Sequence, residues 1–228
     1  MLSISGNLRI LTDKIAQAAL KAGVDSTSIK LVAVTKNVDI ERIKRAIDCG
    51  VEIIGENKVQ EASSKFGSFS IEVEKHLIGH LQTNKVKKAI SLFDMIHSVD
   101  SLHLAEEISK KAGQVNKKLP VLIEVNTSEE KTKFGVKPEE TLSLIEKASV
   151  SNNIKIQGLM TVGLWSGQEK DVRPCFAKLR DLFERMKERN IPNVEMKFLS
   201  MGMTNDFTWA ILEGSNMIRI GTGIFGRR

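Results

Sequence analysis

The chain has 228 residues, 41% of them apolar, and a formal net charge of +6 at pH 7. This length suits one domain, or one barrel of roughly 200–250 residues, with apolar content for a large core. No apolar run reaches the roughly 20 residues a bilayer demands, and the N-terminus has no signal-peptide pattern, so a single cytoplasmic domain over residues 1–228 is expected. The basic residues are mixed with acids, as in Glu184-Arg185-Met186-Lys187-Glu188-Arg189, and no aromatic-basic stripe accompanies them. That pattern describes solvated helix faces and argues against a nucleic-acid partner. Cys49 and Cys175 have no metal-binding spacing and are expected to be packing residues in a reducing compartment.

Helical spacing of Leu8, Leu11, Ile15, Ala18 and Ala19 predicts a first helix from about Asn7 to Gly23. Leu31-Val32-Ala33-Val34-Thr35-Lys36 then reads as a buried strand, short and rich in branched apolar residues. Alternation puts Val32, Val34 and Lys36 on one face. Partial burial of such a lysine disfavours its ammonium form and frees the amine to attack a carbonyl. The competing reading is a strand-end lysine that reaches into solvent. A helix follows from Asp39, its N-cap, to Cys49, with Gly50 as the terminating glycine. Val51 to Glu56 is a second strand, after which Asn57 caps a helix to about Phe66.

The alternation continues along the chain. Strands are expected at Lys75–Gly79, Met95–Val99, Val121–Asn126, Ile154–Thr161, Glu195–Ser200 and Met217–Thr222. Helices are expected from about Thr83, from Ser101 to Ala112, from Pro138 to Val150, from Glu169 to Arg189 and from Asn205 to Glu213. Eight strand-helix units imply a parallel sheet that most simply closes into an α/β (β/α)8 TIM barrel with an extra N-terminal helix. An open doubly wound sheet competes, but no GxGxxG follows the first strand.

In such barrels the chemistry gathers at the C-terminal ends of the strands. Those ends carry Lys36, Glu56 and Asn57, His80, Ser98, Asn126, Met160 and Thr161, Ser200 and Gly202, and Gly221 and Thr222. The loops after the seventh and eighth strands, Ser200-Met201-Gly202-Met203-Thr204-Asn205-Asp206 and Arg219-Ile220-Gly221-Thr222-Gly223, fit the recurrent phosphate site of this fold. The bland alternative is that Thr204 caps a helix and the glycines turn the chain. Arg219 shares a face with Met217 and Gly221; if that face looks into the barrel it needs an acceptor, either a carboxylate such as Glu124 or a ligand atom. His76 and His80 lie about 13 Å apart along a strand, too far to share one metal ion. A ligand with a reactive carbonyl and a phosphate would suit both lysine and cradle. Pyridoxal 5′-phosphate (PLP) and a phosphosugar both qualify.

Several segments, in order, carry a resemblance: Leu31 to Lys36, Gly55-Glu56-Asn57-Lys58-Val59-Gln60-Glu61, His76-Leu77-Ile78-Gly79-His80-Leu81-Gln82-Thr83-Asn84-Lys85, Gly158-Leu159-Met160, Ser200 to Asp206, and Arg219 to Gly226. With them the chain resembles the pyridoxal phosphate homeostasis proteins, the YggS/PROSC-like PLP-binding proteins, from its first strand to its C-terminus. The resemblance implies the barrel of the alanine racemase N-terminal domain without that enzyme's second domain. It implies that Lys36 carries PLP as a Schiff base, that Asn57 lines the pocket and that Met160 sits near the ring. It also implies that Ser200, Gly202, Gly221 and Thr222 hold the phosphate and that Arg219 faces the pyridine nitrogen. Thr204 stands where serine is frequent and keeps a hydroxyl; His80 receives no role.

An arginine cannot accept a proton from the ring nitrogen, and an unprotonated ring is a weak electron sink. Racemases of this type use a tyrosine as second base, and this chain has no tyrosine. The resemblance therefore implies a PLP carrier or regulator with PLP-dependent apo-enzymes as recipients, expected to be a monomer that binds neither nucleic acid nor membrane. A weak PLP-dependent amino-acid racemase is the alternative, and a Schiff-base aldolase acting on a phosphosugar is a further rival.

Overall fold

The computed structural model describes residues 3–66, 72–130 and 132–226. Eight strands form a closed parallel barrel in sequence order: β1 (Lys30–Val34), β2 (Ile53–Glu56), β3 (Glu74–Leu77), β4 (Met95–Val99), β5 (Leu119–Glu124), β6 (Ile154–Met160), β7 (Val194–Ser200) and β8 (Met217–Ile220). Closure is made by β8 against β1, with Val32 opposite Arg219 and Ala33 opposite Ile220. The helices are α1 (Ile4–Ala22), α2 (Ile40–Asp48), α3 (Val59–Phe66), α4 (Val86–Leu92), α5 (Leu102–Gly113), α6 (Thr141–Ala148), α7 (Glu169–Lys187), α8 (Phe207–Leu212) and α9 (Thr222–Phe225). The expected barrel and its additional first helix are therefore present.

Alternation along each strand divides the side chains between two cores. Outward residues such as Ala33, Ile54, Leu77, Ile96, Ile218 and Ile220 pack beneath the helices. Inward residues Val32, Ile53, Met95, Leu122, Met160 and Met217 form a small apolar plug inside the barrel. Polar inward residues share the interior with that plug, namely His76, His97, Ser200 and Arg219, all buried.

Helix α1 starts where the Ser3 hydroxyl accepts the Gly6 N–H at 3.1 Å, a cap that stabilises a helix by ~1 kcal/mol. Its buried stripe, Leu8, Leu11 and Ile15, packs in one cluster with Phe207, Ile220, Ile224 and Phe225. Asn7 Nδ2 also donates to the Ile224 carbonyl at 2.8 Å. The additional helix thus anchors the segment that follows β8, where the phosphate cradle was expected.

Local departures from expectation have physical causes. β8 ends at Ile220, and Thr222 opens the single-turn α9 rather than extending the strand. α3 begins at Val59, and Asn57 does not cap it: its Oδ1 is buried and accepts no hydrogen bond. α8 has no side-chain cap, because Thr204 is spent on the neighbouring loop. Cys175 is buried, as a packing residue should be, but Cys49 is exposed at the end of α2.

The β6–β7 pairing shifts register between Ile156 and Gly158. Gly158 has φ 144°, and a Cβ there would stand 1.8 Å from the Phe198 carbonyl oxygen. Only glycine permits this approach, which allows Gly158, Leu159 and Met160 to re-register against β7. Gly158→Ala should therefore cost about 2–4 kcal/mol, as strain at a restricted backbone position combined with a backbone clash; urea unfolding measures it.

Candidate functional site

A cavity of about 850 Å³ opens among the C-terminal strand ends. Val34 and Lys36 come to it from β1, Asn57 from the end of β2, Ile78 from the end of β3, and Arg219, Gly221 and Thr222 from β8 and α9. The loops after β6 and β7 complete it with Val162 to Gly167 and Met203 to Asp206. Of the residues singled out from sequence, Lys36, Asn57, Arg219, Gly221 and Thr222 line this cavity. Met160, Ser200 and Gly202 do not. Met160 is fully buried in the apolar plug, Ser200 lies under Arg219, and Gly202 is pressed against α8.

Lys36 is positioned through its two neighbours in the chain. The Thr35 hydroxyl donates to Glu56 Oε1 at 2.7 Å, and Lys65 Nζ donates to the Thr35 carbonyl at 2.7 Å. On the other side the Asn37 N–H donates to Glu61 Oε1 at 2.5 Å, with Asn37 in the left-handed region at φ 55°. Lys65 Nζ ties this clamp together by donating to Glu56 Oε1 at 2.8 Å and Glu61 Oε1 at 2.7 Å. Glu56 is wholly buried, and burial raises its pKa against the opposing pull of Lys65 and Thr35. Removing one partner from such a buried pair typically costs about 3–5 kcal/mol, so the clamp is a rigid mount for the Lys36 backbone.

Arg219 is 4% exposed and forms part of the cavity wall from within the barrel. Its Nη1 donates to Ser200 Oγ and its Nη2 to the Thr161 carbonyl, both at 2.7 Å. Its backbone N–H donates to the Gly202 carbonyl at 3.0 Å. Burial lowers its pKa to about 10, with Glu124 and Asp206 pulling the other way, so the guanidinium stays charged at neutral pH. The acceptor it uses is therefore a hydroxyl and a carbonyl rather than Glu124, which makes no ion pair with it among the described residues. Glu124 is itself buried, with Oε2 unpaired, and burial raises its pKa to about 7, reinforced by the Asp100 charge and opposed by Arg219.

The loops after β7 and β8 are joined side by side. Gly223 N–H donates to Thr204 Oγ1 at 3.2 Å, and the Thr222 and Thr204 hydroxyls are 3.2 Å apart. Asp206 Oδ1 accepts the Met203 N–H, which folds that loop onto itself. Gly202 has φ 94°, and a Cβ would come 2.6 Å from Ala210 Cβ, so glycine here is required by the close approach of α8. The result is a rim of hydroxyl and backbone N–H groups at the cavity, beside Arg219 on β8 and Lys36, two residues beyond the end of β1.

Sequence reasoning missed three parts of this arrangement. Lys65 is one; its spacing of four from Glu61 on α3 was a usable signal. The wall from Val162 to Gly167 is another, and loop lengths gave no sign of it. The third is a contact between His76 and His97 inside the barrel; the sequence reading weighed His76 only with His80, as a metal pair. His80, by contrast, stacks on Phe134 with ring centres 3.9 Å apart and does not line the cavity.

Fold and site together define a single-barrel protein with a strand-end lysine facing a polar rim. Residues 8–228 match the family described as Alanine racemase, N-terminal domain. The alanine racemase of Clostridium difficile 630 has the same fold, with a TM-score of 0.80 at 16% identity; the match covers 98% of this chain and 57% of that one. Nearer in sequence is the pyridoxal phosphate homeostasis protein of Aquifex aeolicus, 42% identical over 217 residues, which are 95% of this chain and 94% of that protein. PipY of Synechococcus elongatus PCC7942, solved with PLP bound, superposes with a TM-score of 0.84 at 30% identity, covering 98% of this chain and 100% of PipY. The chain belongs to the pyridoxal phosphate homeostasis protein family.

The raised pKa of Glu124 has a signed consequence. Its folded-state value of about 7 lies above the ordinary 4.5, so the folded protein binds more protons between those limits. Stability conferred by the protonated carboxyl is full below about pH 4.5 and declines as pH rises through about 7, by up to about 3 kcal/mol. Glu124→Gln should flatten that decline and gain stability at pH 8; urea unfolding from pH 5 to 8 reads both.

Proposed function

We propose that this protein binds PLP for intracellular vitamin B6 homeostasis, holds it as a Schiff base on Lys36, and acts as a carrier or regulator rather than an enzyme. The observation that carries the reading is the single cavity in which Lys36, Arg219 and the Thr204–Thr222 rim meet. PLP supplies an aldehyde, a phosphate and a pyridine ring. Lys36 Nζ offers an amine to the aldehyde, with loss of one water. The hydroxyls of Thr204 and Thr222 and the backbone around Gly221 offer donors to the phosphate. Arg219 offers a guanidinium N–H to the ring nitrogen, and Asn57 lines the same wall. The name of the Aquifex aeolicus relative and the PLP-bound structure of PipY support the same ligand.

Of the remaining residues expected at the site, Gly202 supports the phosphate rim by letting its loop seat on α8, while Ser200 and Met160 act from beneath: Ser200 through Arg219, and Met160 as packing under the cavity. The non-catalytic reading rests on chemistry. Arg219 remains charged and donates without accepting, which keeps the ring nitrogen unprotonated and the electron sink weak. The 228 residues contain no tyrosine to serve as a second base. The chain acts as one PLP-binding domain, monomeric and cytoplasmic, with PLP-dependent apo-enzymes as recipients. No helix among the described residues is long and apolar enough to cross a membrane.

The test is the absorbance spectrum with and without added PLP, followed by borohydride reduction and peptide mapping. Reduced pyridoxyl on Lys36 is expected, and Lys36→Ala should lose the imine absorbance while keeping its melting temperature. A colourless protein that takes up no PLP, or imine absorbance unchanged in Lys36→Ala, overturns the reading. Racemisation of amino acids that depends on Lys36 overturns its non-catalytic part. Arg219→Ala should alter the spectrum of bound PLP more than the amount bound; lost binding with an unaltered residual spectrum would place Arg219 in the phosphate site or the scaffold.

A further inference from the structure

A file of hydrogen bonds crosses the barrel interior beneath the cavity. It starts at Glu74, whose side chain is 48% exposed at the N-terminal end of β3. Glu74 Oε1 meets His76 Nε2 at 2.8 Å, and His76 Nδ1 meets His97 Nε2 at 2.9 Å. His97 Nδ1 then meets Ser200 Oγ at 3.3 Å, and Ser200 Oγ accepts from Arg219 Nη1 at 2.7 Å. Four strands contribute: β3, β4, β7 and β8. His76, His97 and Ser200 have no exposed surface, so no solvent molecule at the surface can substitute for a missing partner.

With both rings neutral, the order of donors along this file is forced. A guanidinium only donates, so Ser200 Oγ accepts from Arg219 and has one O–H left to give. The Glu74 carboxylate only accepts, so His76 carries its proton on Nε2 and leaves Nδ1 as an acceptor. His97 must then donate from Nε2, which makes its Nδ1 the acceptor of the Ser200 O–H. Every donor points from Arg219 toward Glu74. A proton added to either ring reverses the contact with Ser200: His97 Nδ1–H donates to Ser200, and the Ser200 O–H loses its partner. Burial, with the charges of His76 and Arg219, holds the His97 pKa well below the ordinary value, which favours the neutral file.

We propose that His76 and His97 are positioning residues for the PLP site, acting through Ser200 to hold Arg219 as a donor toward the ring of the ligand. The proposal rests on the PLP-binding reading above. It makes the spectrum of bound PLP sensitive to the protonation of a histidine pair whose outlet, Glu74, lies at the opposite end of the barrel. The charged groups that face the file are Lys30 of β1 and Lys197 of β7 beside Glu74, and Glu124 and Asp206 beside Arg219, with Asp100 next to Glu124.

Three proteins decide it: wild type, His97→Phe, which removes both ring contacts, and His97→Gln, which keeps an acceptor for Ser200 and a donor for His76. Bound PLP is followed by absorbance from pH 6 to 9, and the melting temperature of each apo-protein is recorded. In His97→Phe, PLP should still be trapped on Lys36 by borohydride. Its absorbance band and titration midpoint should move, with affinity falling less than in Arg219→Ala. His97→Gln should restore both. In the apo wild type, histidine ¹⁵N shifts at pH 7.5 should show two neutral Nε2–H rings, a readout that involves no ligand. PLP uptake by wild type with an identical spectrum and pH profile in His97→Phe overturns the inference and leaves the PLP reading standing. So does a cationic or Nδ1–H ring in the apo-protein. A wild type that never takes up PLP removes the PLP reading instead, while the ¹⁵N shifts still report the file.

Discussion

The strongest constraint on this molecule is a guanidinium enclosed by a closed barrel. Arg219 lies inward on β8 because Ile218 and Ile220 are needed outward beneath the helices. Once inside, its charge has lost most of its water, and each N–H without an acceptor would be costly. The barrel answers with Ser200 Oγ and the Thr161 carbonyl. Those answers propagate. Ser200, committed as an acceptor, requires an outlet for its own proton, and His97 supplies it; His97 requires the same, and His76 passes the demand to Glu74 at the rim. A single buried charge thus dictates the polar content of an interior that is otherwise an apolar plug of Val32, Ile53, Met95, Leu122, Met160 and Met217.

Lys36 obeys a different rule. Its backbone is fixed through the residues on either side, by Glu56, Lys65 and Glu61 acting on Thr35 and Asn37. The clamp grips main-chain atoms and the Thr35 hydroxyl, so the origin of the side chain is fixed while its stem extends into the open cavity. The proposed Schiff base on Lys36 would use this division, since the mount of the side chain is stiff. The cost is a buried carboxylate in Glu56, whose second oxygen has no partner. That oxygen is tolerated because Lys65 and Thr35 already hold the first.

The sequence made the architecture and one face of the site legible. Alternation put Val32, Val34 and Lys36 on one face of β1 and Met217, Arg219 and Gly221 on one face of β8, and the structure turns Val32, Met217 and Arg219 into the barrel. Alternation, however, gives a face and not a height. Ser200, Met160 and Gly202 all sit at strand ends by sequence, yet one lies under the arginine, one in the plug and one against α8. Nor does a linear pattern reveal which inward residues meet across the barrel. His76 and His97 are separated by 21 residues, and Ser200 lies 103 beyond His97, so their contacts depend on strand register that no local spacing encodes. Asn57 misled for a related reason: a residue suited to cap a helix leaves α3 uncapped and lines the cavity wall, its Oδ1 buried without a protein partner.

The two halves of the cavity differ in how far they are determined by the protein itself. On the barrel side, Arg219 has protein acceptors, and its chain of support is complete without any ligand. On the rim, Asn57 Oδ1 is unpaired, and the loop from Leu164 to Gly167 presents Trp165 with 86% of its surface exposed. The barrel side presents a cation that only donates, and the rim is open. For the proposed role of holding and releasing PLP, such a site would pair a fixed donor with an open exit.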